Sequence, residues 1–191
     1  MSYLTDKAIL FAADAHKGMV RKGLSQPYIF HPLEVMSLAS LVTDDEEILC
    51  GAVLHDTVED TPITAEDIRQ NFGDRIANLV SSETEDKRGQ VNKEGTWVER
   101  KKEAIEMLKN DKDAGAKIIA LCDKVSNLRS FHLMQMQLGD EMWNCFNMHD
   151  PLQHHWYYKE VGNALSELGD SPVYKEYMFL IDAIFNKYLE R

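Results

Sequence analysis

Long apolar runs and strand-like alternation are both nearly missing from this chain, and each absence excludes a class of protein. No uninterrupted apolar stretch approaches the ~20 residues that a membrane-spanning helix needs, so no membrane segment is expected. The start, Met1-Ser2-Tyr3-Leu4-Thr5-Asp6, has no basic region leading into an apolar run, which points to a soluble, cytoplasmic protein. Cysteine is scarce: Cys50, Cys122 and Cys145 are odd in number and show no CxxC spacing. Neither a disulfide framework nor a structural zinc site follows, and buried reduced thiols are expected. Basic residues are outnumbered, 21 Lys and Arg against 32 Asp and Glu, for a formal net charge of -11. That disfavours a general nucleic-acid surface, which needs a basic face to neutralise phosphates. Anionic small molecules stay open, because the local field of a cleft need not follow the net charge. Repeats, low-complexity segments and linkers are also absent, and 191 residues suit a single domain spanning 1–191.

What is present is helical periodicity. Leu4, Ala8, Phe11, Ala12 and Ala15 form one stripe, and Lys22 to Pro27 reads as a loop through its Gly and Pro. His31-Pro32 opens a second helix through Val35, Leu38, Ala39 and Val42. Thr43-Asp44-Asp45 offers caps for a third, whose inner face carries Ile48, Leu49, Ala52 and Val53 just before His55. Thr64 with Asp67 resembles a capping box, Gly73 is a helix stop, and a short helix covers Ile76 to Val80. Glu83 to Gly95 is polar and aperiodic, and reads as a mobile loop positioned to cover a site. Thr96 can cap a helix Trp97 to Asn110, and a long helix follows from Ala114 to Leu133. Met142 to Met148, Pro151 to Leu168 and Pro172 to Leu189 complete an all-α bundle of about eight to ten helices.

Chemistry concentrates where the third helix ends. His55-Asp56 and Glu59-Asp60 place an imidazole and three carboxylates within six residues. Nitrogen and carboxylate donors together suit a divalent transition metal, and further carboxylates can orient or deprotonate a water. The alternative is a charged helix end with one inward histidine. Asp123 follows the apolar run Ile118 to Cys122, where an uncompensated carboxylate is costly to bury. It needs a cation, either a metal or a neighbouring Lys or Arg. His149, His154 and His155 beside Trp156-Tyr157-Tyr158 have no matching carboxylates. They read as surface or helix-start histidines next to core aromatics rather than as a second site. Trp97 likewise reads as core or cap packing, and His16 as a residue hydrogen-bonded within the pocket wall. Arg100 and Lys93 are candidates to reach phosphates from the mobile loop.

Taken together, His31, His55-Asp56 and the distant Asp123 resemble the metal signature of the HD phosphohydrolase superfamily. The likeness extends through Ala15 to Gly23, Pro27 to Val35, Ala52 to Thr61, Trp97 to Lys101 and Asp123 to Arg129. In that order these segments are similar to the hydrolase domain of RelA/SpoT-type alarmone enzymes. The motifs lie within 8–133, with accessory C-terminal helices in 138–190, so the chain resembles a stand-alone small alarmone hydrolase. The resemblance implies hydrolysis of the 3′-diphosphate of (p)ppGpp or (p)ppApp with release of pyrophosphate. It implies one divalent ion, usually manganese, on His31, His55, Asp56 and Asp123, and Glu59 and Asp60 as the pair that activates water. Arg21 and Lys22 would contact the base, Arg21 by stacking its planar guanidinium, with Tyr28, Asn127 and Ser130 lining the nucleoside site. A homo-oligomer is compatible with the sequence. Met19, where many relatives carry Gln, and a loop before Pro27 one residue longer than in the long enzymes leave base selectivity open. Two other activities stay in view: a phosphatase acting on NADPH or a deoxynucleotide, and a non-catalytic nucleotide sensor.

Overall fold

The computed structural model describes residues 3–83 and 96–189. In chain order the α-helices are α1 (Tyr3–Ala15), α2 (Phe30–Ala39), α3 (Glu46–Leu54), α4 (Thr57–Asp60), α5 (Ala65–Phe72), α6 (Asp74–Glu83), α7 (Trp97–Asn110), α8 (Ala114–Leu138), α9 (Pro151–Ala164) and α10 (Pro172–Leu189). Two 3-10 segments, Gly139–Cys145 and Ser166–Leu168, join the last helices. Among the described residues there is no strand, only an isolated antiparallel bridge between Val20 and Pro27. None of the described helices is long and apolar enough to cross a membrane.

Local chemistry sets most boundaries. Asp45 caps α3 by accepting from the Glu47 amide, and Thr64 and Asp67 form the reciprocal capping box of α5. Gly73, at φ 91°, ends α5 in a conformation closed to other residues without strain. Several expectations are revised. Helix α2 stops at Ala39 rather than running through Val42, and the helix expected over Pro151 to Leu168 ends at Ala164, with Ser166–Leu168 a separate 3-10 turn. Helix α6 runs on to Glu83, so Glu83 belongs to a helix and not to the loop predicted from that residue; the remainder of that loop, with Lys93, lies outside the described residues. Helix α8 continues to Leu138 because nothing breaks it before Gly139. The Met142 to Met148 region is a 3-10 segment ending at Cys145, which leaves Cys145 half-buried while Cys50 and Cys122 are fully buried. Thr96 stands at the start of α7 without a side-chain cap bond.

Two apolar clusters hold the helices. One gathers Val35, Leu38, Ile119, Leu121, Val125, Leu128, Tyr177 and Phe185 from α2, α8 and α10, and the other Ala8, Ala12, Val53, Leu54, Ile68 and Ile76 from α1, α3, α5 and α6. Helix α3 serves both, and Gly51 is where it approaches most closely: a Cβ there would come within 2.9 Å of Ile119 Cδ1 and 3.2 Å of Leu79 Cβ. That contact brings the end of α3 against the middle of α8, so His55 and Asp123 meet.

Candidate active site

Each helix delivers its polar groups where it ends or where it is crossed. His31 lies in the first turn of α2, His55 follows α3, Asp56 precedes α4, and Asp123 sits in the buried middle of α8. His31 Nε2 is 3.1 Å from Asp123 Oδ1 and 3.4 Å from Asp56 Oδ2. His55 Nε2 is 3.2 Å from Asp56 Oδ2 and 3.7 Å from Asp123 Oδ1. Ligand atoms of His31, His55 and Asp123 all lie within 4.8 Å of one another. The second oxygen of Asp123 pairs with Lys124, and its first also accepts from Asn127 Nδ2 at 2.7 Å. One oxygen of Asp123 therefore has the lysine partner that its burial demands, and the other faces the two histidines.

The tautomers are set from behind. His55 Nδ1 donates to the Ala52 carbonyl at 2.9 Å, because a carbonyl can only accept. In the neutral ring the lone pair is then on Nε2, which is buried and has no hydrogen-bond partner. Burial disfavours charge on His55, but Asp56 and Asp123 outweigh it and hold its pKa well above the ordinary value until a cation takes the proton's place. A buried basic nitrogen left unbonded among carboxylates fits a divalent metal ion, with its orienting bond already made on the other side. Burial works against charge on Asp56 and Asp123. For Asp56 the histidines outweigh it, and for Asp123 Lys124 and the histidines do, so both are held well below the usual carboxylate range and stay anionic.

Tyr28 is the link from this cluster to the adjacent carboxylates. Its hydroxyl lies 2.7 Å from Asp56 Oδ2 and 2.8 Å from Asp60 Oδ2, so one proton serves two acceptors. His16 stacks on the Tyr28 ring, centroids 4.9 Å apart; neither of its ring nitrogens is hydrogen-bonded, contrary to the expected bond in the pocket wall. Glu59, Asp60, Arg21, Lys22, Tyr28 and Asn127 line one cleft of about 400 Å³ with the His and Asp cluster at its floor. Arg21 donates to Asn127 Oδ1 at 2.7 Å and lies 5.6 Å from the Tyr28 ring centroid; the bend at Gly23, φ 74°, and the bond from the Arg21 amide to Gln26 carry it there. Ser130 is placed elsewhere, in a neighbouring cleft with Glu34, Ser126 and Arg129.

Sequence reading missed part of the wall. Glu83, Lys101, Lys124, Phe146, Asn147 and His154 all line the same cleft, and Arg100 does too. Burial pushes the Glu83 carboxyl up to about 7, with Lys124, 3.8 Å away, acting in the opposite direction. His154 is at the start of α9, as read, but not at the surface: it is buried against Trp97, Phe131 and Trp143, its Nε2 donating to the Met148 carbonyl at 2.9 Å. The signal for it was present, since Trp156-Tyr157-Tyr158 marks an inward helix face, but the neighbouring rings come from α7, α8 and the 3-10 segment. Cations around an acidic floor suit a ligand with phosphates and an aromatic base.

A profile of the HD domain matches residues 8–152. The bifunctional (p)ppGpp synthase/hydrolase SpoT of Escherichia coli (strain K12) is 30% identical over 171 residues, covering 88% of this chain and 24% of that protein. A guanosine-3′,5′-bis(diphosphate) 3′-pyrophosphohydrolase of Aquifex aeolicus (strain VF5) is 31% identical over 172 residues, covering 89% of this chain and 24% of the relative. This chain thus spans about a quarter of the length of the curated relatives it matches. Two solved structures are similar in fold and in extent. One, from Listeria monocytogenes EGD-e, has a TM-score of 0.70 at 33% identity, covering 84% of this chain and 97% of the other. The second, described as a metazoan ortholog of SpoT that hydrolyses ppGpp, has a TM-score of 0.74 at 27% identity, covering 98% of this chain and 97% of the other.

Proposed function

The chain belongs to the HD domain family, and from that membership and the site geometry we propose that it hydrolyses the 3′-diphosphate of a nucleotide alarmone, (p)ppGpp or (p)ppApp, releasing pyrophosphate. The observation that carries the reading is the buried, unbonded Nε2 of His55 beside Asp56 and Asp123, with Asp60 joined to Asp56 through the Tyr28 hydroxyl. His31, His55, Asp56 and Asp123 would hold one divalent ion, manganese in this reading. The ion, when bound, supplies Lewis-acid stabilisation of charge at phosphorus and makes a water more acidic.

The protein's own groups do the rest. Asp60 accepts from the Tyr28 hydroxyl, which also bonds Asp56 at the floor of the cleft, and it and Glu59 line that cleft, where they can accept a proton from the attacking water. Lys124, Arg100 and Lys101 border the cleft where the phosphates would lie, and a fixed cation there is worth most as negative charge develops. Arg21, bonded to Asn127 and placed over the Tyr28 ring at 5.6 Å from its centroid, offers a flat guanidinium for a base. The metazoan relative, matched over nearly the whole of both chains, supports the alarmone class more strongly than the long curated relatives do.

The test is incubation of manganese-loaded protein with a panel of guanosine and adenosine alarmones and NADPH, followed by identification of the phosphate released. Pyrophosphate from an alarmone is the expected result. Inorganic phosphate from NADPH alone would replace the reading with a phosphomonoesterase, and binding without release would replace it with a sensor.

A further inference from the structure

His31 is gripped from behind by a chain of polar groups that runs out of the HD-matched segment. Its Nδ1 lies 2.8 Å from Ser126 Oγ, and Ser126 Oγ lies 2.6 Å from Glu34 Oε2. Arg129 Nη1 donates to Glu34 Oε1 at 2.8 Å, and Arg129 Nε and Nη2 reach Glu176 Oε1 and Oε2 at 2.6 and 2.8 Å. Glu176 belongs to α10, beyond residue 152 where the family match ends.

Each bond in the chain has only one possible direction. A guanidinium only donates and a carboxylate only accepts, so Ser126 must give its hydroxyl proton to Glu34. The Ser126 oxygen is then an acceptor for His31, which in the neutral ring places the proton on Nδ1 and the lone pair on Nε2. Nε2 is the nitrogen that faces Asp56 and Asp123. Were Glu34 not a fixed acceptor, the Ser126 hydroxyl could turn and donate to Nδ1, and the proton would move to the nitrogen that must be free.

We propose that Ser126, Glu34, Arg129 and Glu176 are positioning residues that hold His31 in the tautomer able to bind a metal ion, with α10 as the outer anchor. The proposal rests on the metal reading given above. The outer links add little to stability, since the Glu34 and Arg129 side chains are 34% and 36% exposed, and surface ion pairs contribute weakly. Their loss can therefore be measured in a folded protein.

The probe is Co²⁺ alone, titrated into the metal-free protein and followed by its d–d absorption, with circular dichroism on every variant. Ser126→Ala should weaken Co²⁺ binding by ~10- to 100-fold, the range for a lost second partner of a ligating histidine. Ser126→Thr, which keeps the hydroxyl, should restore most of it, and Glu176→Gln, at the outer end of the chain of bonds, should give a smaller loss. The decisive pair is Glu34→Gln against Glu34→Ala. Arg129 would draw the Gln oxygen to itself and turn the amide N–H toward Ser126, reversing the hydroxyl, so the isosteric change should weaken binding more than the truncation. In a Ser126→Ala background Glu34→Gln should then add nothing. Binding by Glu34→Gln equal to or tighter than by Glu34→Ala, or no rescue by Ser126→Thr, overturns the relay while leaving the metal site standing. Wild-type protein that takes up no Co²⁺, or His31→Ala that takes it up undiminished, removes the metal reading and the relay with it.

Discussion

His55 and His154 differ less than their fates suggest. Both are buried, both line the same cleft, and each spends one ring nitrogen on a backbone carbonyl, that of Ala52 or of Met148. The difference is in what surrounds the ring. His55 Nε2 faces Asp56 and Asp123, whereas His154 is enclosed by Trp97, Phe131, Trp143 and Phe146. Burial and an oriented tautomer are thus common to a candidate ligand and to a packing residue. The carboxylates supplied by other helices make the distinction, and they answer the cost of burying charge that the aromatic region avoids by keeping its histidine neutral.

The largest effect should come from breaking the two regions in parallel. His55→Ala and Asp123→Ala are expected to lose the metal ion, read by elemental analysis, and to drop pyrophosphate release to background. His154→Phe should keep its metal. A His154 variant that lost metal as His55→Ala does would erase the comparison, and an Asp123 variant that kept it would make Asp123 only the partner of Lys124.

Within the acidic region, next in size, Glu59→Gln and Asp60→Asn should retain metal and alarmone binding yet lose turnover by ~100-fold or more, the scale of a missing acid/base group. Single-turnover rates with binding measured separately would check this. Near-normal rates in both variants would reduce the pair to a charged helix end and leave Tyr28 bridging Asp56 to a bystander.

Much of this was legible beforehand, for identifiable reasons. Helices α7 and α10 appear at the predicted bounds because Pro172 and the apolar period are local signals, as are the caps at Asp45 and Thr64. An aspartate in the apolar stretch of α8 announced only that Asp123 needs a partner, metal or lysine; the set His31, His55, Asp56 and Asp123 was legible through the resemblance to the HD phosphohydrolases. What could not be read depends on which helices cross. Nothing near Glu83 in sequence announces that Lys124 and the floor of the cleft will bury it, and nothing near Glu34 announces Arg129 and Glu176. Ser130 shows the same limit: three residues after Asn127 on α8, it faces a neighbouring cleft with Ser126 and Arg129.

A third prediction uses the aromatic region alone. Burial lowers the His154 pKa from the ordinary 6.5 to about 4, the carbonyl of Met148 opposing it only in part. The folded state thus resists a proton that the unfolded state accepts. Its contribution is fully present above pH 6.5 and is lost as pH falls toward 4, by ~3 kcal/mol across that window at about 1.4 kcal/mol per unit. Other groups titrate there too, so the quantity to measure is the difference in urea midpoint between wild type and His154→Phe, which should shrink on acidification. A constant difference from pH 7 to 4.5 would mean that His154 takes up its proton without leaving its aromatic cage.

The smallest effect tests where the acidic region stops. Arg21 stands one ring away from it, over Tyr28, whose hydroxyl holds Asp56 and Asp60. If its work is to stack on a base remote from the scissile bond, that contact is similar in the ground and transition states. Arg21→Ala should then raise KM for alarmones with little change in kcat, at a cost of ~1 to 3 kcal/mol, the range for base stacking on a side chain. A small phosphoester without a base, if hydrolysed, should be nearly indifferent to the change. Arg21→Lys should not rescue it, since an ammonium keeps the charge but has no flat face. A matched fall in kcat for both substrates would show instead that Arg21 acts through Tyr28 on Asp60, and would move the boundary of the catalytic region outward to include it.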